Sequence, residues 1–423
     1  MRNVFDQFRE PENRLTHALM TSLGEEPELL RKFLFWATGS RPPKRQLFVQ
    51  EQSLPGELEE AEEPEERERR GLPDGCIHDG ETWALAIESK IVCPLESDQL
   101  RRHRTTIERL GFTDVHLLAL VVKEPNRCAV DGLAVKRWAD IYLWLSFQKQ
   151  SAWATRLREY MEVMEAKLPK EQYLRDGTLT VFSGINFGKE IPYNYLEAKR
   201  ILRLLMGELR TNKLLHKELG VDALAEGRGA ITGKDSDAVW DYLPISEAAQ
   251  ATTFTQYPHL AVGVHSNFVQ ALVVVPNGIL PSLRRALIDG GPEAFFELFH
   301  SVLERYRDDI GDEAGVCPIV EAVQRRYRSQ RSEPFMDTRI TFDLRTAYGD
   351  GFGSDASPRN QPQWLQAVFE ALSHKRSNLQ LAVGVRFDYN LCSYTQSPDI
   401  ARRLAESWII CKPIIAKMLS SRL

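Results

Sequence analysis

Pro73-Asp74-Gly75-Cys76-Ile77-His78-Asp79-Gly80-Glu81-Thr82-Trp83-Ala84-Leu85-Ala86-Ile87-Glu88-Ser89-Lys90 reads as two strands around a tight reversal. His78-Asp79-Gly80 carries the turn chemistry, so residues 73–77 and 82–91 are expected to form a hairpin. Period-two alternation puts Trp83, Leu85 and Ile87 on one face of the second strand, and Glu88 and Lys90 together on one face with Ser89 on the other. A surface hairpin with a plain Glu88–Lys90 salt bridge would not need that apolar face. Asp74 and Glu88 are two carboxylates able to hold a hard divalent cation, and Lys90 beside them can steady developing charge or position a water. Those are the ingredients of metal-dependent phosphodiester hydrolysis.

Working outward, residues 5–23 have Leu15, Ala18, Leu19 and Leu23 at helical spacing, with Glu12 on an early turn. A second helix is expected at 28–36, stopped by Gly39 and the Pro42-Pro43 pair, and a first strand at 45–54. After Pro94 a charged helix is expected at 95–110. An unbroken apolar run at 115–122 then suits a strand buried on both faces, and helical period returns at 137–147 through Trp138, Ile141, Tyr142 and Leu145.

This order, with Pro73-Asp74 and Glu88-Ser89-Lys90 on adjacent strands, resembles the PD-(D/E)XK nuclease superfamily over about residues 1–150. The resemblance implies an α/β restriction-endonuclease-like core (α-β-β-β-α-β, mixed central sheet). It implies magnesium or manganese held by Asp74 and Glu88, with Glu12 on the first helix completing the shell and Gln99 leaning in from the helix after the lysine strand. Many members carry a tyrosine four residues after that glutamine; here the place holds His103, so the match is partial there. Two roles are open to Lys90: an ammonium that stabilises charge, or an amine lowered enough to help deprotonate water. DNA is the expected substrate ahead of RNA, with defence against foreign DNA as the implied setting.

Arginines supply the electrostatic part of that expectation. Arg101 and Arg102 lie on the helix after the lysine strand, with Arg104 and Arg109 beyond. Arg325, Arg326 and Arg328 flank Tyr327 further on, with Arg331 nearby. Such clusters hold phosphates without reading sequence. The formal net charge of −5 does not argue against this, because eight glutamates crowd residues 57–68, an acidic stretch expected to be a solvated loop or frayed helix.

At 423 residues, two domains are expected. Domain one is 1–150, a helical linker is 151–169, and 170–423 is an α+β domain with a specificity, sensing or oligomerisation role, homo-oligomer formation included. Its expected strands are 178–182, 260–264, 268–275, 338–344 and 379–387. Its expected helices are 195–211, 282–288, 293–307, 363–373 and 398–419.

The most apolar runs are too short for a bilayer, which needs about 20 residues. No apolar leader follows the N-terminus, so the cytoplasm is the expected location. Six scattered cysteines without a Cys-x-x-Cys pair disfavour a zinc cluster or disulfide scaffold. Gly229 and Gly233-Lys234-Asp235 miss the spacing and the Ser or Thr of a phosphate-binding loop. The rival to a nuclease is a nucleic-acid-binding or sensor protein whose second half carries the main function, with the first domain as an output or inactive module.

Overall fold

The computed structural model describes residues 5, 8, 10–51, 72–91, 94–123, 130–168, 174, 177–221, 237–245, 253–311, 313–328, 335–349, 360–374 and 377–420. The acidic stretch 57–68, the glycine-rich segment 227–236 and Arg331 lie outside these residues. The chain forms two compact units, Met1–Val181 and Phe182–Leu423. Among the described residues no helix is long and apolar enough to cross a membrane.

The first unit is α/β. It runs α1 (Pro11–Glu25), α2 (Pro27–Thr38), β1 (Phe48–Glu51), β2 (Gly75–His78), β3 (Trp83–Lys90), α3 (Ser97–Arg109), β4 (Asp114–Val121), β5 (Leu133–Arg137), α4 (Trp138–Ser146) and α5 (Ala152–Lys167). Its sheet is mixed, in the order β1-β2-β3-β4-β5, with β1, β2 and β3 antiparallel and β3, β4 and β5 parallel. The expected hairpin is present. Asp79 closes it, because its carboxylate accepts the backbone N–H groups of Glu81, Thr82 and Trp83, and Gly80 takes the positive φ of 80° that the turn requires.

Both faces of β3 are covered, by different chemistry. Leu85 and Ile87 join Leu15, Leu19, Phe33 and Trp138 in the larger core. Ala84 and Ala86 pack with Leu100 and Ile107 of α3 on the other side. The small alanines let α3 sit close to the strand, which brings the α3 side chains near the strand's carboxyl end.

Two differences from the sequence reading have clear causes. β5 was not expected, since its edge residues, four half-exposed and one exposed, carry little alternation. Residues 151–169 are not a linker: Leu157, Tyr160, Met161 and Met164 of α5 are buried in the first unit's core. Ser151 caps α5 by accepting from the Ala154 N–H and donates to Glu26 Oε2 at 2.6 Å. The buried carboxylate of Glu165 accepts the N–H groups of Leu179 and Thr180, so the unit closes at Val181 rather than at 150.

The second unit runs α6 (Tyr195–Arg210), α7 (Lys213–Leu219), β6 (Ala238–Pro244), β7 (His259–His265), β8 (Phe268–Val275), α8 (Pro281–Ile288), α9 (Gly291–Asp309), β9 (Val316–Arg326), β10 (Phe335–Asp343), α10 (Gln363–Ser373), β11 (Leu379–Asp388), α11 (Asp399–Ile409) and α12 (Lys412–Leu419). Its six-stranded antiparallel sheet has the order β10-β9-β11-β8-β7-β6. The helices pack with one face of the sheet into a single core.

The expected strand at 178–182 is irregular chain, and the expected helix at 398–419 breaks between Ile409 and Lys412, where Pro413 cannot donate. β6, α7 and β9 were not expected. In β9, Pro318 hides the pattern, yet it lies beyond the last β10 pair, Asp343 with Ile319, where a missing N–H is tolerated.

The buried α5 side chains set an expectation for truncation. Removing Leu157, Tyr160, Met161 and Met164 forfeits about 1.5–3 kcal/mol each, comparable in sum with a domain's whole stability of about 5–15 kcal/mol. Residues 1–150 alone should therefore lack a cooperative thermal transition, while 1–181 should show one by circular dichroism. A cooperative transition in 1–150 would contradict the role given to α5.

Candidate active site

The β2–β3 register pairs Gly75 with Ile87, which sets Asp74 opposite Glu88 at the end of the hairpin. Asp74 Oδ2 accepts the Ser89 N–H at 2.7 Å, so the aspartate is tied to the strand that carries the other two groups. An added Cβ at Gly75 would meet Met20 Sδ at 2.8 Å, so the glycine gives the Met20 side chain of α1 room against the start of β2. Glu12, in the first turn of α1, reaches the far end of β3, where its Oε1 accepts the Ile91 N–H at 2.7 Å.

Glu88 is only 1 % exposed. Its Oε1 lies 2.7 Å from Lys90 Nζ and its Oε2 lies 3.0 Å from His103 Nε2. A carboxylate only accepts, so the ring nitrogen facing it carries the hydrogen. Burial pushes the Glu88 carboxyl up, but the His103 hydrogen bond and the Lys90 charge outweigh it and hold the group below the ordinary range. Burial pushes Lys90 down, yet Glu88, Asp74 and Glu12 together hold it above the usual lysine range. Asp74 goes the other way: burial, then repulsion from Glu88, raise it to about 7 against the Ser89 hydrogen bond and the Lys90 charge.

The sequence-predicted residues Asp74, Glu88, Lys90 and Glu12 therefore meet. Gln99 is half-buried on α3 and makes no hydrogen bond to Asp74, Glu88 or Lys90 among the described residues. The α3 residue that contacts Glu88 is His103, one turn later and fully buried. Sequence reading passed over it as a departure from a pattern. The available signal was its i, i+3 and i, i+4 spacing with Leu100 and Ile107 on the one buried stripe of an otherwise charged helix.

The arginines are divided between the two units. Arg101 pairs with Asp98 at 2.8 Å and Arg102 is exposed on α3, both in the first unit. Arg325 and Arg326 are successive residues of β9 and point to opposite faces of the second unit's sheet. Arg325 Nη1 donates to Gln380 Oε1 at 2.8 Å, Arg326 lies 3.5 Å from Asp337, and Arg328 covers the Phe335 ring at 4.6 Å. Of the cluster expected at 325–331, Arg325 and Arg326 are thus on opposite faces of β9, and Arg331 lies outside the described residues.

Among the described residues no three His, Cys, Asp or Glu side chains converge as a ready metal cage. The donor chemistry nonetheless suits a hard cation: oxygen ligands only, with burial and the neighbouring Glu88 charge raising Asp74 to about 7. No protein-family model matches this chain, and no curated protein is similar to it.

Two outcomes follow. Leaving a buried carboxylate oxygen without its donor costs more than about 1–3 kcal/mol, so His103→Ala should lower the urea midpoint sharply. His103→Gln, which restores a donor toward Glu88, should recover part of the loss. Equal losses in both variants would show that the ring acts by packing alone.

The second concerns Asp74. Its folded pKa of about 7 lies above the ordinary 3.8, so the folded protein binds this proton more tightly than the unfolded chain. The resulting stability is full below about pH 4 and is lost as pH rises through 7. Asp74→Asn removes that loss. In metal-free buffer the variant should melt above the wild type at pH 8, by about 2–4 °C per kcal/mol, and the difference should shrink toward pH 5. A difference independent of pH would refute the assignment.

Proposed function

We propose that the first unit is a metal-dependent nuclease with a restriction-endonuclease-like core, hydrolysing phosphodiester bonds in DNA ahead of RNA. The observation that carries this reading is the meeting of Asp74, Glu88, Lys90 and Glu12 at one end of β3, with Asp74 set opposite Glu88 by the hairpin register. Three carboxylates around one ammonium have no need to gather at a strand end for stability, since buried charges are costly to assemble. Clusters of this kind mark sites of chemistry.

Asp74 and Glu88, with Glu12 as a third carboxylate, would hold magnesium or manganese, which when bound supplies water activation and offsets charge on the leaving oxygen. Lys90 stays an ammonium, because the surrounding carboxylates outweigh its burial. It is therefore a donor to a phosphoryl oxygen as negative charge builds there, and not the base. His103 holds Glu88 in orientation from behind, and the Ser89 N–H does the same for Asp74. Arg101 and Arg102, exposed on the same helix as His103, are placed to meet a phosphate backbone without reading bases.

The test is incubation of the full chain with supercoiled, linear and single-stranded DNA and with RNA, with and without magnesium or manganese. Cleavage should require the metal, and Asp74→Ala and Glu88→Ala should each abolish it. Lys90→Ala should keep cation binding by calorimetry and lose at least about a hundredfold in rate, the scale of a lost charge-stabilising group. Wild-type cutting by either carboxylate variant, or no cutting of any substrate, would refute the reading.

A further inference from the structure

Among the described residues, the helices of the second unit pack on one face of its sheet and not on the other. A separate cluster lies there, built from strand residues alone: Leu272, Val274, Ile319 and Ala382. Over it sits a cavity of about 310 Å³, at the lower end of the range for small-molecule sites, about 300–1,000 Å³. One ladder row across this face reads His259, Val274, Ala382, Glu321, Thr341, so the floor is apolar and its margins are polar.

The two ends of the cavity differ. Toward β6 and β7 it is aromatic. Trp240 and Phe254 line it, Phe254 stacks on Tyr242 at 4.5 Å, and the buried His259 ring meets both edge-on. Burial pushes His259 down to about 4, so this end is uncharged at neutral pH. Toward β9 and β10 it is cationic. Arg325 and Arg339 line it against the single carboxylate of Glu321, which Arg339 contacts at 2.5 Å.

In the floor Gln270 is 8 % exposed, and its Oε1 has no hydrogen-bond partner among the described residues. A buried amide oxygen left without a donor destabilises the protein that carries it. One lining a cavity of this size is an acceptor waiting for a ligand's N–H or O–H. Glu321, on which Arg339 rests, lies two strand spacings across and four residues along the strands from Gln270, about 16 Å between backbones at about 4.8 Å per strand and about 3.3 Å per residue. Side chains reaching inward from both ends shorten that gap to the length of a nucleotide.

We infer that this cavity binds a free nucleotide: its heteroaromatic ring against Trp240 and Phe254, its ring edge to Gln270, its phosphate to Arg325 and Arg339. The inference goes beyond the nuclease reading and does not depend on it. A second unit that binds a small anionic ligand is a sensor or regulatory module.

The experiment uses the full chain without divalent ions. Calorimetry is run with AMP, GMP, CMP, UMP and their diphosphates, beside adenosine and inorganic phosphate. At least one nucleotide should bind, at least tenfold tighter than the nucleoside or phosphate alone. Arg325→Gln should weaken binding at least tenfold. Glu321→Gln, which frees Arg339, should tighten it, a gain that a misfolded protein cannot mimic. Binding should persist in Glu88→Ala, which separates this site from the first unit's. No binding by any nucleotide, loss of binding in Glu88→Ala, or no response to either Arg325→Gln or Glu321→Gln would overturn the inference. So would tighter binding of a single-stranded oligonucleotide that responds to the same substitutions.

Discussion

A carboxylate that is 1 % exposed, as Glu88 is, can stay ionised only if both its oxygens are answered. Lys90 answers one from two residues along the same strand, and His103 answers the other from the helix packed over it. Much of the first unit's local design follows from that requirement. Ala84 and Ala86 have to be small so that α3 comes close enough for His103 to reach. Gly75 leaves room for the Met20 side chain of α1, and Glu12 reaches the strand end from the first turn of that helix. The hairpin turn, fixed by the Asp79 carboxylate, sets the register that brings Asp74 opposite Glu88.

What was legible in the sequence was whatever the chain expresses locally. The hairpin announced itself through Asp79-Gly80 and the alternation of Trp83, Leu85 and Ile87, and the same alternation put Glu88 with Lys90. Convergence of Glu12 on the end of β3 was readable only through a resemblance, because nothing local links residue 12 to residue 91. His103 was hidden for a related reason: one buried imidazole on an arginine-rich helix is indistinguishable from a solvated one until the strand it faces is known. α5 looked like a linker because Pro169 follows it, whereas its place in the core rests on contacts with α1 and α4 far back in the chain. In the second unit β9 was lost to Pro318 and to the charge of Arg325 and Arg326, whose opposite orientations only pairing with β10 and β11 reveals.

The two sheets solve burial differently, and this bears on what each unit can do. The first is covered on both faces, so its chemistry is confined to a strand end, where backbone N–H groups such as those of Ser89 and Ile91 are free to orient carboxylates. The second is antiparallel with helices on one face only, an arrangement that leaves the other face to water or to a ligand. Water alone would call for a uniformly polar face. Instead Leu272, Val274, Ile319 and Ala382 are buried there beside Gln270, Glu321 and Arg325, a mixture suited to a ligand with both apolar and charged parts.

On the proposed reading of the first unit, Lys90 has two demands on it that cannot be met at once. Without a cation its ammonium is the positive charge that lets Asp74, Glu88 and Glu12 lie together, and even so Asp74 is left near 7. A divalent ion held by Asp74 and Glu88 would compete for the same Glu88 oxygen that Lys90 now contacts. Positive charge from the ion would draw the Asp74 proton off and lessen the hold on the ammonium, freeing it for a phosphoryl oxygen. The lysine's service as internal counter-ion and its service to substrate are then successive states of one side chain. The charge that makes the empty cluster tolerable is the charge that the reaction would use.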